Sequence, residues 1–158
     1  MKNKYKLKSL LVLAGALLWS GSSLFAQTEY TECPTDQDVC LVEWEAEDGT
    51  AIPNALRNTI ANDTDRPDGR VYKLRRGGFY DLIDPIEWDG FHLRIEGQTV
   101  AEAGADDLVC TDNPDNDCGP AIIQRVADEA GDIPGVMFRN SGDQSPWTLN
   151  NVWIMGHD

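Results

Sequence analysis

The amino-acid sequence predicts an all-β fold, built as a solenoid of stacked coils that starts with one short capping helix. The first observation is a series of short β-favouring clusters between Val71 and Gly97, which only brief turn signals separate. The second is a similar strand ending, "VWIMG", close to the end of the chain. The third is a single amphipathic helical pattern that precedes them all. An ordinary β-sandwich is the alternative, and it offers no role for the helix or for the repeated strand ending.

The first 26 residues have the pattern of a cleaved secretory signal peptide. A basic start is followed by an apolar run from Leu10 to Trp19, which is shorter than the roughly 20 residues that cross a bilayer. Ala26 follows small and polar residues and fits the last position before cleavage. We therefore expect a secreted, periplasmic or cell-surface protein with no membrane span in its mature part, and an uncleaved amphiphilic tail is the alternative. The basic residues of the start are Lys2, Lys4, Lys6 and Lys8.

The predicted mature part, residues 27–158, is strongly acidic. All 27 acidic residues follow Ala26, whereas 13 − 4 = 9 basic residues do, so its formal charge is 9 − 27 = −18. Binding to nucleic acids and acidic membranes needs clustered Lys and Arg. The adjacent pair Arg75 and Arg76 precedes two glycines, which is typical of a solvated turn rather than a basic patch. We therefore expect no nucleic acid partner, and solubility in a salty medium accounts for the acidity.

The four cysteines of an exported chain predict disulfides rather than a metal cluster. Four cysteines allow three connectivities, and the spacing favours local pairs. Zinc is the alternative, but no Cys-x-x-Cys motif occurs in the sequence. The predicted pairs are Cys33 with Cys40 and Cys110 with Cys118.

The segment 27–47 contains one predicted strand, "VEWEAE", because Val42, Trp44 and Ala46 alternate with glutamates. The segment 48–158 begins with the helical pattern "TAIPNALRNTIAND". Its apolar residues recur at helical spacing, Pro53 suits a first helical turn, and an Asn-Asp pair marks the exit. This helix is expected to cap the apolar end of the first coil and to block edge-to-edge pairing there.

The remaining predicted strands are "VYKL", "FYDL", "IEW", "FHLRIEG", "AIIQRV", "VMFRN" and "LNNVWIMG". Aligning Leu93 with Val152 and Ile95 with Ile154 gives an offset of 152 − 93 = 59 residues. Without the acidic insertion 99–119, which has 21 residues, the offset is 59 − 21 = 38, the length of one long coil. Since no coil can bury its own core, the alignment predicts that Leu93 and Ile95 stack under Val152 and Ile154.

The order of "IPNALRNTIAND", "GRVYKLRRGGFYDL", "IEWDGFHLRIEGQ" and "PAIIQ" resembles the start of the secreted right-handed parallel β-helix proteins of the pectate lyase-like superfamily. The resemblance covers roughly Asp48 to Asp158 and implies a capping helix, a three-faced coil and a role in binding or cleaving polysaccharide, as a lyase or hydrolase. It carries no catalytic residue over, because the calcium-binding carboxylates and the basic residue of such lyases lie on middle coils. The chain is accordingly expected to be the N-terminal part of a longer protein. A non-catalytic surface or adhesion solenoid, with the coils as a stiff stalk, is the alternative.

The acidic insertion, "DDLVCTDNPDNDCG", is the predicted metal site. Asp112, Asp115 and Asp117 place hard oxygen ligands in one loop, and Ca²⁺ takes six to eight of them. A solvated acidic loop is the alternative, because the EF-hand spacing is missing.

A second candidate follows from the family analogy alone, namely an outward ligand stripe of His92, Arg94 and Glu96, with a solvated strand face as the alternative. The sequence contains no Gly-x-Ser-x-Gly motif and no P-loop.

Overall fold

The computed structural model describes residues 30–105, 119–142 and 145–156. Within these ranges the chain forms nine strands and two helices. Strands therefore dominate the described part of the fold, as the sequence predicts. The strands are β1 Val39–Val42, β2 Val71–Leu74, β3 Phe79–Leu82, β4 Ile86–Trp88, β5 Leu93–Gly97, β6 Ala121–Arg125, β7 Phe138–Asn140, β8 Trp147–Asn150 and β9 Val152–Met155, and the helices are α1 Ala55–Asn62 and α2 Val100–Ala105.

The strands form three sheets, and the chain visits them in a repeating order. Sheet 1 has the order β1-β2-β5-β8, sheet 2 has β3-β6-β9, and sheet 3 has β4-β7. All six pairings between these strands are parallel. Strands that follow one another from β2 to β9 therefore lie in different sheets, whereas an ordinary sandwich is built from antiparallel sheets.

The core lies between the sheets and is filled by alternate residues of each strand. In sheet 1 the register places Tyr72 beside Ile95 and Ile95 beside Leu149. In sheet 2 it places Tyr80 beside Ile123. Apolar side chains of successive strands thus stack on one another inside the molecule, where Tyr72, Tyr80, Ile95 and Ile123 are almost fully buried.

Helix α1 is confirmed and covers one end of this core. It contacts β1, β3 and β4 and buries Leu56 and Ile60 against them. The helix begins at Ala55 rather than with Pro53 in its first turn, because Asn54 takes a left-handed conformation with φ 58°. The Asn54 side chain accepts hydrogen bonds from the backbone N–H groups of Ile83 and Asp84, at 2.9 and 3.0 Å, and so fastens the helix start to the end of β3.

The predicted strand "VEWEAE" is wrong in its position, because β1 is Val39–Val42 and shares only Val42 with it. Cys40 and Val42 point into the core beside Tyr72 and Leu74. The chain then leaves the sheet, and Glu45 forms only an isolated antiparallel bridge across a turn. The alternation of apolar and acidic residues therefore reflects a turn with one packed side and not a strand of a sheet.

The predicted strand "LNNVWIMG" is two strands that lie in different sheets, β8 in sheet 1 and β9 in sheet 2. Asn151 separates them with φ 52°, and Asn is one of the few residue types that tolerate this left-handed region. The predicted stacking of Leu93 and Ile95 under Val152 and Ile154 is consequently wrong. The observed partners are Trp147 for Leu93, Leu149 for Ile95, Ala121 for Val152 and Ile123 for Ile154.

Helix α2 lies inside the predicted acidic insertion, where no helix is predicted. Thr99 and Glu102 form a reciprocal cap at its start: the Thr99 N–H donates to the Glu102 carboxylate at 2.6 Å, and the Glu102 N–H donates to the Thr99 hydroxyl at 3.3 Å. This is the Thr-x-x-Glu capping box, which satisfies two N–H groups at a helix start.

A buried ion pair joins the segment before β1, the end of α1 and the start of β2. Arg70 Nε donates to Asp63 Oδ2 at 2.8 Å, and both side chains are almost completely buried. The remaining donors of Arg70 bind the backbone carbonyls of Pro34, at 2.7 Å, and of Gln37. The Tyr72 hydroxyl donates to Asp63 at 3.1 Å. Burial raises the pKa of Tyr72, which stays protonated and can serve as this donor.

We predict that Asp63→Ala strongly destabilises the fold, because it leaves the Arg70 guanidinium buried without a counter-charge. Breaking a buried pair in this way costs about 3–5 kcal/mol, which chemical denaturation of the purified protein would measure. The matched control is Glu87→Ala, since Glu87 pairs with Arg139 at 2.6 Å on the surface, with both side chains about half exposed. An exposed pair contributes about 1 kcal/mol or less, so equal losses in the two variants would contradict the role of the buried pair.

A second prediction concerns Gly97, whose lack of a side chain allows the corner at Asn151 to approach closely. A Cβ atom at Gly97 would lie 2.1 Å from the Asn151 backbone oxygen. Gly97→Ala should therefore lower the free energy of unfolding by about 1–3 kcal/mol or more, the usual cost of overpacking. Gly104→Ala is the control, because a Cβ there meets nothing within 4 Å and a helical Gly→Ala change is neutral or stabilising. A thermal transition of the Gly97 variant at the wild-type temperature would show that the corner is looser than described.

A third prediction concerns β9, an edge strand of sheet 2 that exposes apolar side chains. Trp153, Ile154 and Met155 are all about half exposed, and an exposed apolar edge promotes pairing between molecules. We expect the purified protein to self-associate and expect Ile154→Lys to reduce this, at little cost in stability, because Ile154 is only half buried. Light scattering would measure it, and a wild-type protein that stays monomeric at high concentration would contradict the prediction.

Candidate functional site

The disulfide predicted between Cys33 and Cys40 is confirmed. The two Cα atoms are 5.1 Å apart, and Cys40 is fully buried in the core beside Tyr72. The bond therefore holds the segment before β1 against the sheet. Cys110 and Cys118, the second predicted pair, lie outside the described residues.

The predicted calcium ligands Asp112, Asp115 and Asp117 also lie outside the described residues, so this site stays a prediction. Within residues 30–105, 119–142 and 145–156, no group of three or more His, Cys, Asp or Glu side chains could hold a metal ion. No helix in the same ranges is long and apolar enough to span a bilayer.

The predicted stripe of His92, Arg94 and Glu96 lies at the outer surface of sheet 1, where the chain itself supplies partners for all three. His92 Nε2 is 2.8 Å from the Thr148 hydroxyl, and Arg94 Nη1 donates to the Gly69 carbonyl at 3.1 Å. Glu96 accepts from Lys73 at 3.3 Å. The three side chains of the stripe therefore contact the segments that neighbour β5 within the chain itself.

Lys73 extends these contacts to helix α2. It also binds Glu102 at 3.0 Å, so one ammonium on β2 contacts both Glu96 on β5 and Glu102 on helix α2. The pKa of Glu102 is lowered, first by the hydrogen bond from the Thr99 N–H group and then by Lys73. Glu102 thus stays ionised and serves the helix cap rather than proton transfer near neutral pH.

The outer face of sheet 2 carries apolar side chains that are in register across its three strands. Phe79, Ile122 and Trp153 occupy equivalent positions on β3, β6 and β9, because the register pairs Phe79 with Ile122 and Ile122 with Trp153. Phe79 is 45% exposed and Trp153 is 58% exposed. We call these three residues the apolar row.

The row is continued beyond β3 by Trp44, whose ring lies edge-on to Phe79 with the centroids 6.3 Å apart. Trp44 packs over Gly78, where an added Cβ would lie 2.6 Å from its ring. The absence of a side chain at Gly78 therefore lets the indole lie against the sheet. Because neighbouring strands are about 4.8 Å apart, Phe79 and Trp153 lie about 10 Å apart along the row.

Polar side chains flank the row on the same face of sheet 2. Asp81 and Gln124 are outward-facing neighbours in the register, and the Gln124 amide donates to Asp81 at 2.7 Å. The amide and carboxylate retain further hydrogen-bonding capacity, because a side-chain amide has two donors and a carboxylate accepts several bonds. The face thus combines apolar rings with polar groups that can both donate and accept.

The apolar row is not among the sites predicted from the sequence, although a signal for it exists. The strands "FYDL", "AIIQ" and "VWIM" have apolar residues at adjacent positions. In a strand, adjacent residues point to opposite faces, so such strands expose one of the two. Only the parallel pairing of strands distant in sequence then brings the exposed residues into one line.

No protein-family model, no curated protein and no solved structure matches this chain.

Proposed function

We propose that the chain is part of an exported right-handed parallel β-helix protein that binds polysaccharide through the apolar row on sheet 2. The single observation that carries the proposal is this row of apolar side chains in register across three parallel strands, in which Phe79 and Trp153 are about half exposed.

Three parallel sheets visited in a constant order support the β-helix part of the proposal. A chain that runs through sheets 1, 2 and 3 and returns to pair in parallel with its own previous turn winds as a coil. Parallel strands of one sheet are joined by right-handed connections in about 98% of cases, which favours the right-handed form. The position of α1 across one end of the core agrees with a cap, since solenoids need polar ends.

The chemistry of the row supports polysaccharide as the ligand. A pyranose ring has a face of C–H groups that stacks on an aromatic ring, whose face is electron-rich. The separation of about 10 Å between Phe79 and Trp153 is close to a disaccharide repeat of an extended β-linked chain. Asp81 and Gln124 lie beside the row and can bond sugar hydroxyls. The row offers a ligand apolar contact area and a few polar groups. This combination supports binding rather than a particular cleavage reaction.

A non-catalytic surface or adhesion solenoid is the second candidate, and the outer surface of sheet 1 favours it. There, Lys73, Arg94 and Glu96 are engaged with other groups of the chain across neighbouring strands. Such internally paired charges stiffen a rod and leave few groups for a ligand. The two candidate functions differ at sheet 2, because the apolar row binds polysaccharide in the first and has no ligand in the second.

We predict that Trp153→Ala weakens polysaccharide binding at least tenfold, which corresponds to about 1.4 kcal/mol. Affinity electrophoresis in gels with neutral β-glucan, xylan or galactomannan would measure it, because bound polysaccharide retards the protein. Phe79→Ala should weaken the same binding, and the two losses together should exceed either one, since both rings contact the same ligand.

Trp147→Ala is the matched control, because Trp147 is also a half-exposed tryptophan, at 51%, but packs against Trp88 and Phe138 away from the row. It should leave the retardation of the folded protein unchanged. Equal losses in the Trp147 and Trp153 variants, or no retardation of the wild-type protein by any of these glycans, would argue for the stalk.

A further inference from the structure

A groove of about 290 Å³ lies between the loop that precedes β2 and the turn that precedes β5, away from the apolar row. One wall is the segment 66–70, and the other is the segment 90–92. Gly69 and Gly90 have φ values of +83° and +75°. These left-handed glycines form tight bends in both walls, which leaves the space between them open.

Arg66 provides the main cationic group of the groove. Its guanidinium carbon lies 3.8 Å from the centroid of the Phe91 ring, and Nη2 donates to the Ile60 carbonyl at 3.0 Å. The ring and the carbonyl therefore fix the plane of the guanidinium. Arg66 makes no ion pair with any residue in the described part of the chain, and its Nε is buried there without a hydrogen-bond partner.

The other charges around the groove largely balance one another, so that Arg66 is the guanidinium of this groove that has no ion pair in the described part of the chain. Arg70 lines the groove but is neutralised by Asp63 in the buried pair. Arg94 reaches one wall through its bond to Gly69 but is paired with Glu96 at 3.6 Å. His92 lies on the other wall. Asp68 is the acidic residue that lines the space, and it is exposed.

We infer that this groove binds a single oxyanion group, a carboxylate or a sulfate, through Arg66. A guanidinium held flat on an aromatic ring presents its donors in one plane, which matches the two oxygens of a carboxylate or sulfate. The apolar wall at Phe91 lowers the local polarity and strengthens the charge interaction.

The test is a titration of the full, ¹⁵N-labelled protein with sodium sulfate and with sodium acetate, at an ionic strength held constant with sodium chloride. Amide shifts of Phe91 and His92 should saturate with either probe. Arg66→Gln should weaken the binding at least tenfold, whereas Arg139→Gln, which removes a half-exposed surface arginine, should leave it unchanged. Shifts that follow chloride alone, or that persist in Arg66→Gln, would overturn the inference.

Asp68→Asn guards against a folding defect in the Arg66 variant. It removes the acid that competes at the groove, so it should strengthen binding severalfold, an effect that partial unfolding cannot mimic. If Arg66→Gln loses its folded spectrum, the Asp68 variant decides alone, and unchanged affinity there would overturn the inference. Glucose 6-sulfate, compared with inorganic sulfate, distinguishes a sugar-borne group from the free ion by its tighter binding.

This inference does not depend on the proposed polysaccharide binding, because the groove and the apolar row lie on different parts of the surface. Arg66→Gln should leave the retardation by neutral polysaccharide unchanged, and Trp153→Ala should leave the sulfate titration unchanged. The two experiments can therefore contradict either proposal without contradicting the other.

Discussion

The buried pair of Asp63 and Arg70 is the constraint on which the start of this fold depends. Arg70 binds a carboxylate and two backbone carbonyls of the segment before β1, so one side chain fixes the helix end, the disulfide-bonded segment and the first residue before β2. Directly after it, the Val71 N–H donates to the Asp38 carbonyl at 2.8 Å and begins the pairing of β1 with β2. Because breaking a buried pair leaves an uncompensated charge in the interior, the pair stabilises the point at which the parallel pairing of sheet 1 begins.

From this start, parallel pairing transmits one register through the molecule. Inward residues such as Tyr72, Ile95 and Leu149 stack in the core, while outward residues align on the surface without needing to contact one another for stability. The apolar row arises in this way, as does the contact between Lys73 and Glu96. The alignment of surface side chains and the packing of the core thus share one cause, and a slip of one residue would exchange the two sets of side chains.

The sequence predicts the individual strands well because their local signals are strong. Short clusters such as "VYKL" and "IEW", together with the glycine and aspartate turns between them, leave few other assignments. Partners are harder to predict, because "LRIEG" and "VWIMG" are similar in residue type but lie in different sheets, and only the left-handed corner at Asn151 separates them. The apolar row and Arg66 were not predicted, since each depends on contacts between segments distant in sequence. The capping box at Thr99 was present in the sequence and could have predicted α2.

The central claim is that strands from successive turns of the chain pair in parallel, so that β3, β6 and β9 form one sheet. Nuclear Overhauser contacts between backbone protons of the ¹⁵N-labelled protein test it most directly. The account predicts cross-strand contacts between Tyr80 and Ile123 and between Ile123 and Ile154, in a parallel pattern. Contacts that instead pair β3 with its sequence neighbour β4 in an antiparallel pattern would contradict it, and with it the apolar row.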